Sequence, residues 1–332
     1  MSSASNHDHH DDAHDSRGGH DDHDTHGHGA PAAEVITYRP EVRLPPLRDK
    51  LVNVNGVNLR VRYAGVDGSP VALFLHGFPE SWYGWRAVLR AVFDAGYQVV
   101  LPDLRGYGKS DKPVGLAAFT ADVVVQDAVA VLDAFKAKKA SVIGHDLGGE
   151  VAWRLAAAHP DRVEKLVVVG APHPSLLRSN KALLPRGAWT GAIAIPPLLP
   201  WLLPKLNYAP IAWSWLDAMN PGSVSPADLE KLRDSWAREH GLPAMLAWYR
   251  ASWPRQIGDV RAPTLVVTGS KDRSVPPALA EASAAKVSGA KTLVVEDAGH
   301  WVHHDQPEAL TAALVAFLGA KEFQKSWRPH QW

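Results

Sequence analysis

From residue 51 onward the apolar positions alternate between strand spacing and helical spacing. LVNVNGVNLRVRYAG (51–65) places Val52, Val54, Val57, Leu59 and Val61 at strand spacing around Asn55-Gly56, which predicts a hairpin. Continuous apolar runs follow, each with a helical pattern behind it. Val71–Leu75 precedes a helix near Tyr83–Ala95, Tyr97–Leu101 one near Thr120–Ala137, and Ala140–Ile143 one over Gly148–Ala158. Lys165–Val169 ends in APHP. After a long gap, Thr264–Thr268 precedes Pro277–Val287, and Thr292–Val295 precedes Pro307–Leu318. Strands that are apolar throughout have no face to offer water. The pattern therefore predicts an α/β fold, a mostly parallel sheet with helices on both faces.

The gap at 175–254 has a different character. It is rich in proline and in tryptophan (Trp189, Trp201, Trp213, Trp215, Trp236, Trp248, Trp253), and its spacing is helical. An insertion between parallel strands can roof their carboxyl ends, where such sheets bind ligands, so it is expected to be a helical cap domain. Residues 182–206 are long and apolar enough to raise the question of a membrane span. Pro185, Pro196, Pro197, Pro200 and Pro204 would break such a helix repeatedly, and Arg186 and Lys205 sit inside the window. The stretch reads as a soluble lid, with no stable membrane span.

Residues 1–33 are dominated by His, Asp, Gly, Ser and Ala, carry no aromatic side chain, and are expected to be disordered. Imidazole and carboxylate there, beginning with His7, His9 and His10, form at most a weak metal site, because no fixed ligand spacing is present. The expected division is a tail (1–33), a first core segment (34–174), the cap (175–254), a second core segment (255–322) and a C-terminal tail (323–332).

Composition narrows the classes further. Lys+Arg and Asp+Glu balance at 35 each in 332 residues, so no overall field draws the chain to nucleic acid. The absence of cysteine excludes disulfides, thiolate metal sites and a thiol nucleophile. With no secretory pattern at the N-terminus, the expected location is cytoplasmic. No cofactor and no core metal are expected, and a homodimer is compatible with the sequence.

The sharpest chemical signal is Gly144-His145-Asp146-Leu147-Gly148-Gly149, set between an apolar strand and a helix. Small residues two before and two after a central residue mark a nucleophile elbow. The turn lifts that residue above a helix N-terminus that favours an anion. The central residue is Asp146. A carboxylate of ordinary pKa about 3.9 is ionised at neutral pH and can displace directly at a saturated carbon, forming an alkyl ester. Water must then attack the ester, and that step needs a base. His300 follows a strand near the chain end, where the elbow's chain order puts the base, and His303 and His304 read as the next helix's first turn. Asp272, after the strand TLVVTG, falls between nucleophile and base and is expected to orient His300. His76-Gly77-Phe78-Pro79 follows the strand VALFL, so backbone N–H groups of Phe78 and Leu147 are the expected oxyanion donors.

These residues resemble the epoxide hydrolases of the α/β-hydrolase superfamily over roughly residues 48–320. The matching pieces are HGFPESWYGWR (76–86), DLRGYGKS (103–110), GHDLGG (144–149), APHP (171–174), WYRA (248–251) and the Asp272/His300 pair. The resemblance implies hydrolysis of a hydrophobic epoxide to a vicinal diol, with cap tyrosines holding the epoxide oxygen. Tyr249 matches one of them. The other is expected near Trp189-Thr190, where no tyrosine stands; Thr190 and Tyr208 are the candidates to replace it. His76, Pro79, Trp82, Thr190, Trp248 and Trp301 are expected to line the substrate site. A dehalogenase with the same triad is the nearest rival, but Leu147 and Phe78 stand where its relatives carry a halide clamp. A third reading is the same fold kept as a non-catalytic binding scaffold.

Overall fold

Asn55 and Gly56 both take positive φ (50° and 82°), the mirror-image turn whose twist matches that of the strands it joins. They close the hairpin of β1 (Arg48–Val54) and β2 (Val57–Ala64). The computed structural model describes residues 37–39, 42–177, 198–251, 253–254 and 256–319, all within one compact unit, Thr37–Trp332. The histidine-rich tail, including His7, His9 and His10, and the Trp189-Thr190 pair lie outside the described residues.

Six further strands complete an eight-stranded sheet: β3 (Val71–Leu75), β4 (Gln98–Pro102), β5 (Ala140–His145), β6 (Val163–Val169), β7 (Thr264–Gly269) and β8 (Lys291–Val295). The order is β1-β2-β4-β3-β5-β6-β7-β8, with the pairs β1–β2 and β2–β4 antiparallel and the remainder parallel. The chain leaves β3 to form β4 on one side and then crosses to form β5 on the other. The carboxyl ends of β3 and β5 therefore flank the switch point where such sheets open a crevice. The register pairs Leu75 with Gly144, so HGFP and GHD emerge side by side.

Strand alternation sorts the core onto two faces. Val71, Leu73, Leu75, Val142, Leu166, Val168 and Val266 point to the side covered by α2 (Ala121–Ala134), α3 (Leu147–Ala158) and α8 (Pro277–Ala284). Ala72, Phe74, Ile143, Val167, Val169 and Val267 meet α1 (Arg86–Asp94) and, after the short α9 (Val302–Asp305), α10 (Pro307–Leu318) on the other. The helix expected over Tyr83–Ala95 is in two parts, a 3-10 turn at Trp82–Trp85 and then α1. Ser81 caps the start of this segment, its side-chain oxygen accepting the Tyr83 N–H. The helix expected over Pro277–Val287 stops at Ala284, where tighter bonds from Lys286 to Ser283 and from Val287 to Ala284 replace the helical ones.

Between β6 and β7 the described residues hold four helices: α4 (Leu198–Lys205), α5 (Ala209–Asp217), α6 (Pro226–Trp236) and α7 (Gly241–Arg250). The described part of this insertion is largely helical. Ser225 and Asp228 cap α6 reciprocally, with Pro226 preset at its first position. No helix among the described residues is long and apolar enough to cross a membrane. Most of the apolar window 182–206 lies outside the described residues.

Candidate active site

Asp146 is forced into its position. It joins β5 to α3 with φ 49° and ψ −118°, a conformation that costs an L-residue on the order of 1–3 kcal/mol. The turn is possible because neighbouring backbones come within contact distance. A Cβ on Gly148 would sit 2.2 Å from the Leu75 carbonyl oxygen, and one on Gly144 would sit 2.4 Å from that of Gly148. Both positions therefore need glycine for space, since neither has positive φ.

The strained residue presents its carboxylate to a set of donors. Phe78 N–H donates to Asp146 Oδ2 at 3.0 Å, and the Leu147 amide also bonds the carboxylate. Burial raises the Asp146 carboxyl above its ordinary range, against the pull of His300 and of these two amides. His300 Nε2 stands 3.9 Å from Asp146 Oδ1. Its other nitrogen, Nδ1, lies 3.1 Å from Asp272 Oδ2. Asp272 Oδ1 accepts the backbone N–H groups of Ser274 and Val275, so this carboxyl group is an acceptor throughout. An acceptor facing Nδ1 suits the tautomer that carries its proton there, which leaves the Nε2 lone pair on the side of Asp146. The structure thus brings together Asp146, His300, Asp272, Phe78 and Leu147, residues chosen from separate parts of the sequence.

The sequence pattern of the alpha/beta hydrolase fold family matches residues 70–307. The chain is 31% identical to epoxide hydrolase 4 of Mus musculus over 283 residues, covering 80% of this chain and 78% of the mouse protein. The chain belongs to the epoxide hydrolase family of α/β hydrolases. It is also 31% identical over 277 residues to the AB hydrolase superfamily protein YfhM of Bacillus subtilis, covering 81% of this chain and 97% of that one. Among solved structures, one described among novel epoxide hydrolases in metagenomes from hot environments matches with a TM-score of 0.75 and 27% identity. That match covers 84% of this chain and all of that one.

The other expected site residues of this family member divide. Tyr249, on α7, stands edge-on to Phe78 with ring centroids 5.3 Å apart. Its phenol is raised well above the ordinary range by burial, then by the Asp146 charge and by Tyr107. Trp248 packs on Trp253 and donates its indole N–H to the Arg105 carbonyl at 3.0 Å. The Pro79 carbonyl accepts the Trp236 indole N–H at 2.7 Å, and the Phe78-Pro79 peptide is cis. Trp301 lies edge-on to His300 at 5.2 Å. His76 does not face the site. It is fully buried, with Nδ1 3.0 Å from the Gly77 carbonyl and Nε2 accepting the Leu104 N–H, so it shapes the loop. Trp82 packs with the opposite core face, its ring 4.3 Å from the Arg62 guanidinium. Tyr208 packs on Trp236 at 6.0 Å, and among the described residues no contact ties it to Asp146.

Two features escape a reading of the sequence. The first is a buried polar cluster behind His300. Glu80 Oε2 bonds His303 Nε2 at 3.0 Å, and Glu80 Oε1 bonds His304 Nε2 at 2.5 Å. Burial alone would push Glu80 up, but His304 and His303 outweigh it and hold the carboxyl well below its ordinary range. Next to them His145 donates Nε2–H to the His300 carbonyl at 3.1 Å. Ligating atoms of Glu80, His145 and His303 lie within 4.8 Å of one another, a spacing that could hold a metal ion where none was expected. A glutamate two residues from Phe78, within HGFPESWYGWR, was the available signal. The second feature is Tyr107, buried with no hydrogen-bond partner for its hydroxyl among the described residues.

Proposed function

We propose that this chain hydrolyses hydrophobic epoxides to vicinal diols through an ester on Asp146. The observation that carries the reading is a strained carboxylate held by the Phe78 and Leu147 amides with the His300 imidazole alongside. Asp146 attacks one epoxide carbon, the C–O bond breaks, and the oxygen takes the phenolic proton of Tyr249. In the resting enzyme the Asp146 charge opposes ionisation of that phenol. As the carboxylate becomes a neutral ester this opposition disappears, so the proton becomes available as the ring opens.

In the second half His300 takes a proton from water, and the hydroxide adds to the Asp146 carboxyl carbon. The two backbone amides receive the charge of the tetrahedral intermediate. Collapse breaks the bond between that carbon and the alkyl oxygen, the proton left on the added hydroxyl passes to that oxygen, and the diol leaves with Asp146 a carboxylate again. The proton gained at His300 returns to the Tyr249 oxygen, so epoxide plus water equals diol with the enzyme unchanged. The helices α4–α7 act as a cap over this chemistry, a role supported by the Tyr249–Phe78 stack and the Trp236–Pro79 hydrogen bond. The substrate side is apolar and aromatic, which suits a bulky hydrophobic epoxide. A chain without cysteine fits a cytoplasmic location.

The test is product analysis with styrene oxide and with bromo- and fluoro-acids. Phenylethanediol should form, and Asp146→Asn should abolish it by at least about a thousandfold. Halide release without diol would favour the dehalogenase reading. Binding of the epoxide without either product would favour a scaffold.

A further inference from the structure

The stretches that carry Phe78, Asp146 and His300 meet a second time, behind the nucleophile. Glu80 lies two residues after Phe78, His145 directly precedes Asp146, and His303, on α9, follows His300 by three. Glu80 and His303 are each 1% exposed and His145 is fully buried. One ligating atom from each of the three lies within 4.8 Å of the other two. Both rings have a nitrogen to spare. His145 engages the His300 carbonyl through Nε2, and His303 engages Glu80 through Nε2. Nδ1 of each ring is buried with no hydrogen-bond partner among the described residues. A neutral imidazole has one N–H and one lone pair, so a ring that donates through Nε2 keeps a buried lone pair on Nδ1 that no donor reaches.

We propose that Glu80, His145 and His303 form a site for a divalent transition-metal ion of the zinc class, each ring giving one nitrogen and the carboxylate one oxygen. Two imidazoles and a carboxylate suit zinc, cobalt or nickel, whereas calcium and magnesium favour ligand sets made of oxygen. Metal–ligand bonds of about 2.0–2.2 Å put such atoms roughly 3.4 Å apart, so side-chain rotations on the order of 1 Å close the group. The neighbours that would hold the ligands are present. His304 Nδ1 faces the Arg86 guanidinium at 3.4 Å, so its Nε2–H is the donor to Glu80 Oε1, and this bond pins the carboxylate. The Trp85 ring packs on His303 at 4.8 Å and the Trp301 ring on His145 at 4.7 Å, which fixes both imidazoles. A Cβ on Gly77 would come within 3.0 Å of His145 Nδ1, and the glycine leaves that nitrogen room. An ion here ties the loop after β3, the end of β5 and α9 together. It is a clamp on the framework of the site and takes no part in bond breaking.

The experiment uses the full chain, freed of metal with a chelator and then mixed with cobalt(II). Cobalt held in a buried site of low coordination number absorbs strongly in the visible, whereas six-coordinate cobalt on the N-terminal histidines absorbs weakly. Wild type should show the strong band, and His303→Gln should lose it although the N-terminal histidines are the same in both. Zinc should displace the band and raise the melting temperature of wild type by several degrees, and that of His303→Gln by less than about one degree. A second readout needs no substitution. Cobalt should shift or broaden the indole N–H resonances of Trp85 and Trp301, whose rings lie on the two imidazoles. That measurement decides the matter if His303→Gln fails to fold. A wild-type chain without the strong band overturns the proposal, as does a band of equal strength in folded His303→Gln, or indole signals of Trp85 and Trp301 that ignore the ion. None of these readouts involves an epoxide, so failure here is distinct from failure of the proposed reaction.

Discussion

At the scale of single residues, the site depends on charge being held where water would normally disperse it. Asp146 sits in a backbone region that ordinary residues avoid, and two amides and an imidazole surround its carboxylate. The same burial keeps other groups neutral. His173 and His303 are each lowered to about 4, in both cases first by burial. In the unfolded chain they titrate near 6.5. Between about pH 6.5 and pH 4 the unfolded state therefore binds protons that the folded state refuses, and stability falls as pH falls through that window. Glu80 acts in the other range: its lowered value adds stability above its unfolded value near 4.3, which is lost on further acidification. Melting curves should drop by several degrees between pH 7 and pH 5. His173→Gln should flatten that dependence. A melting temperature that is the same at both pH values would contradict the assignment of these imidazoles as buried and neutral.

Among elements, the apolar patterning carried most of the architecture. The hairpin, β3, α10 and the elbow stand where the spacing puts them: β3 is buried on both sides, α10 buries one stripe through Leu310, Leu314 and Leu318, and the hairpin and the elbow turn on residues at positive φ. The 3-10 turn at Trp82–Trp85 was not visible, since over a single turn apolar spacing does not separate three-residue from four-residue hydrogen bonding. The Glu80 cluster was hidden for a different reason. Its members are 223 and 224 positions apart, and no local spacing encodes such a meeting. Asp305 shows how these elements are tied together. Its carboxylate accepts the Gly299 N–H at 2.7 Å, the Asn220 N–H at 2.8 Å and the Ser223 hydroxyl at 2.6 Å. It thus binds the stretch after α5 to the loop bearing His300, whose own N–H donates to the Ala218 carbonyl. Asp305→Ala strands those buried donors and should cost roughly 2–5 kcal/mol, with a loss of turnover from the displaced His300 loop. Unchanged melting and unchanged turnover would mean that the loop is held by something else.

For the whole molecule, the relevant fact is where the sheet places its loops. One core face packs α2, α3 and α8, the other packs α1 and α10, and the carboxyl ends of β3 and β5 open between them onto the inserted helices. Phe78, Asp146, His300 and Tyr249 come from four separate stretches that meet there. Epoxide opening by Asp146 is the claim on which every assigned role depends. It is tested most directly by mixing His300→Gln with styrene oxide, digesting the protein, and weighing the peptides. The account predicts that the variant accumulates a covalent adduct on the peptide containing Asp146, since alkylation proceeds and water is no longer activated. Turnover by wild type with no adduct on that peptide in the variant, or with the adduct on another carboxylate, would contradict it.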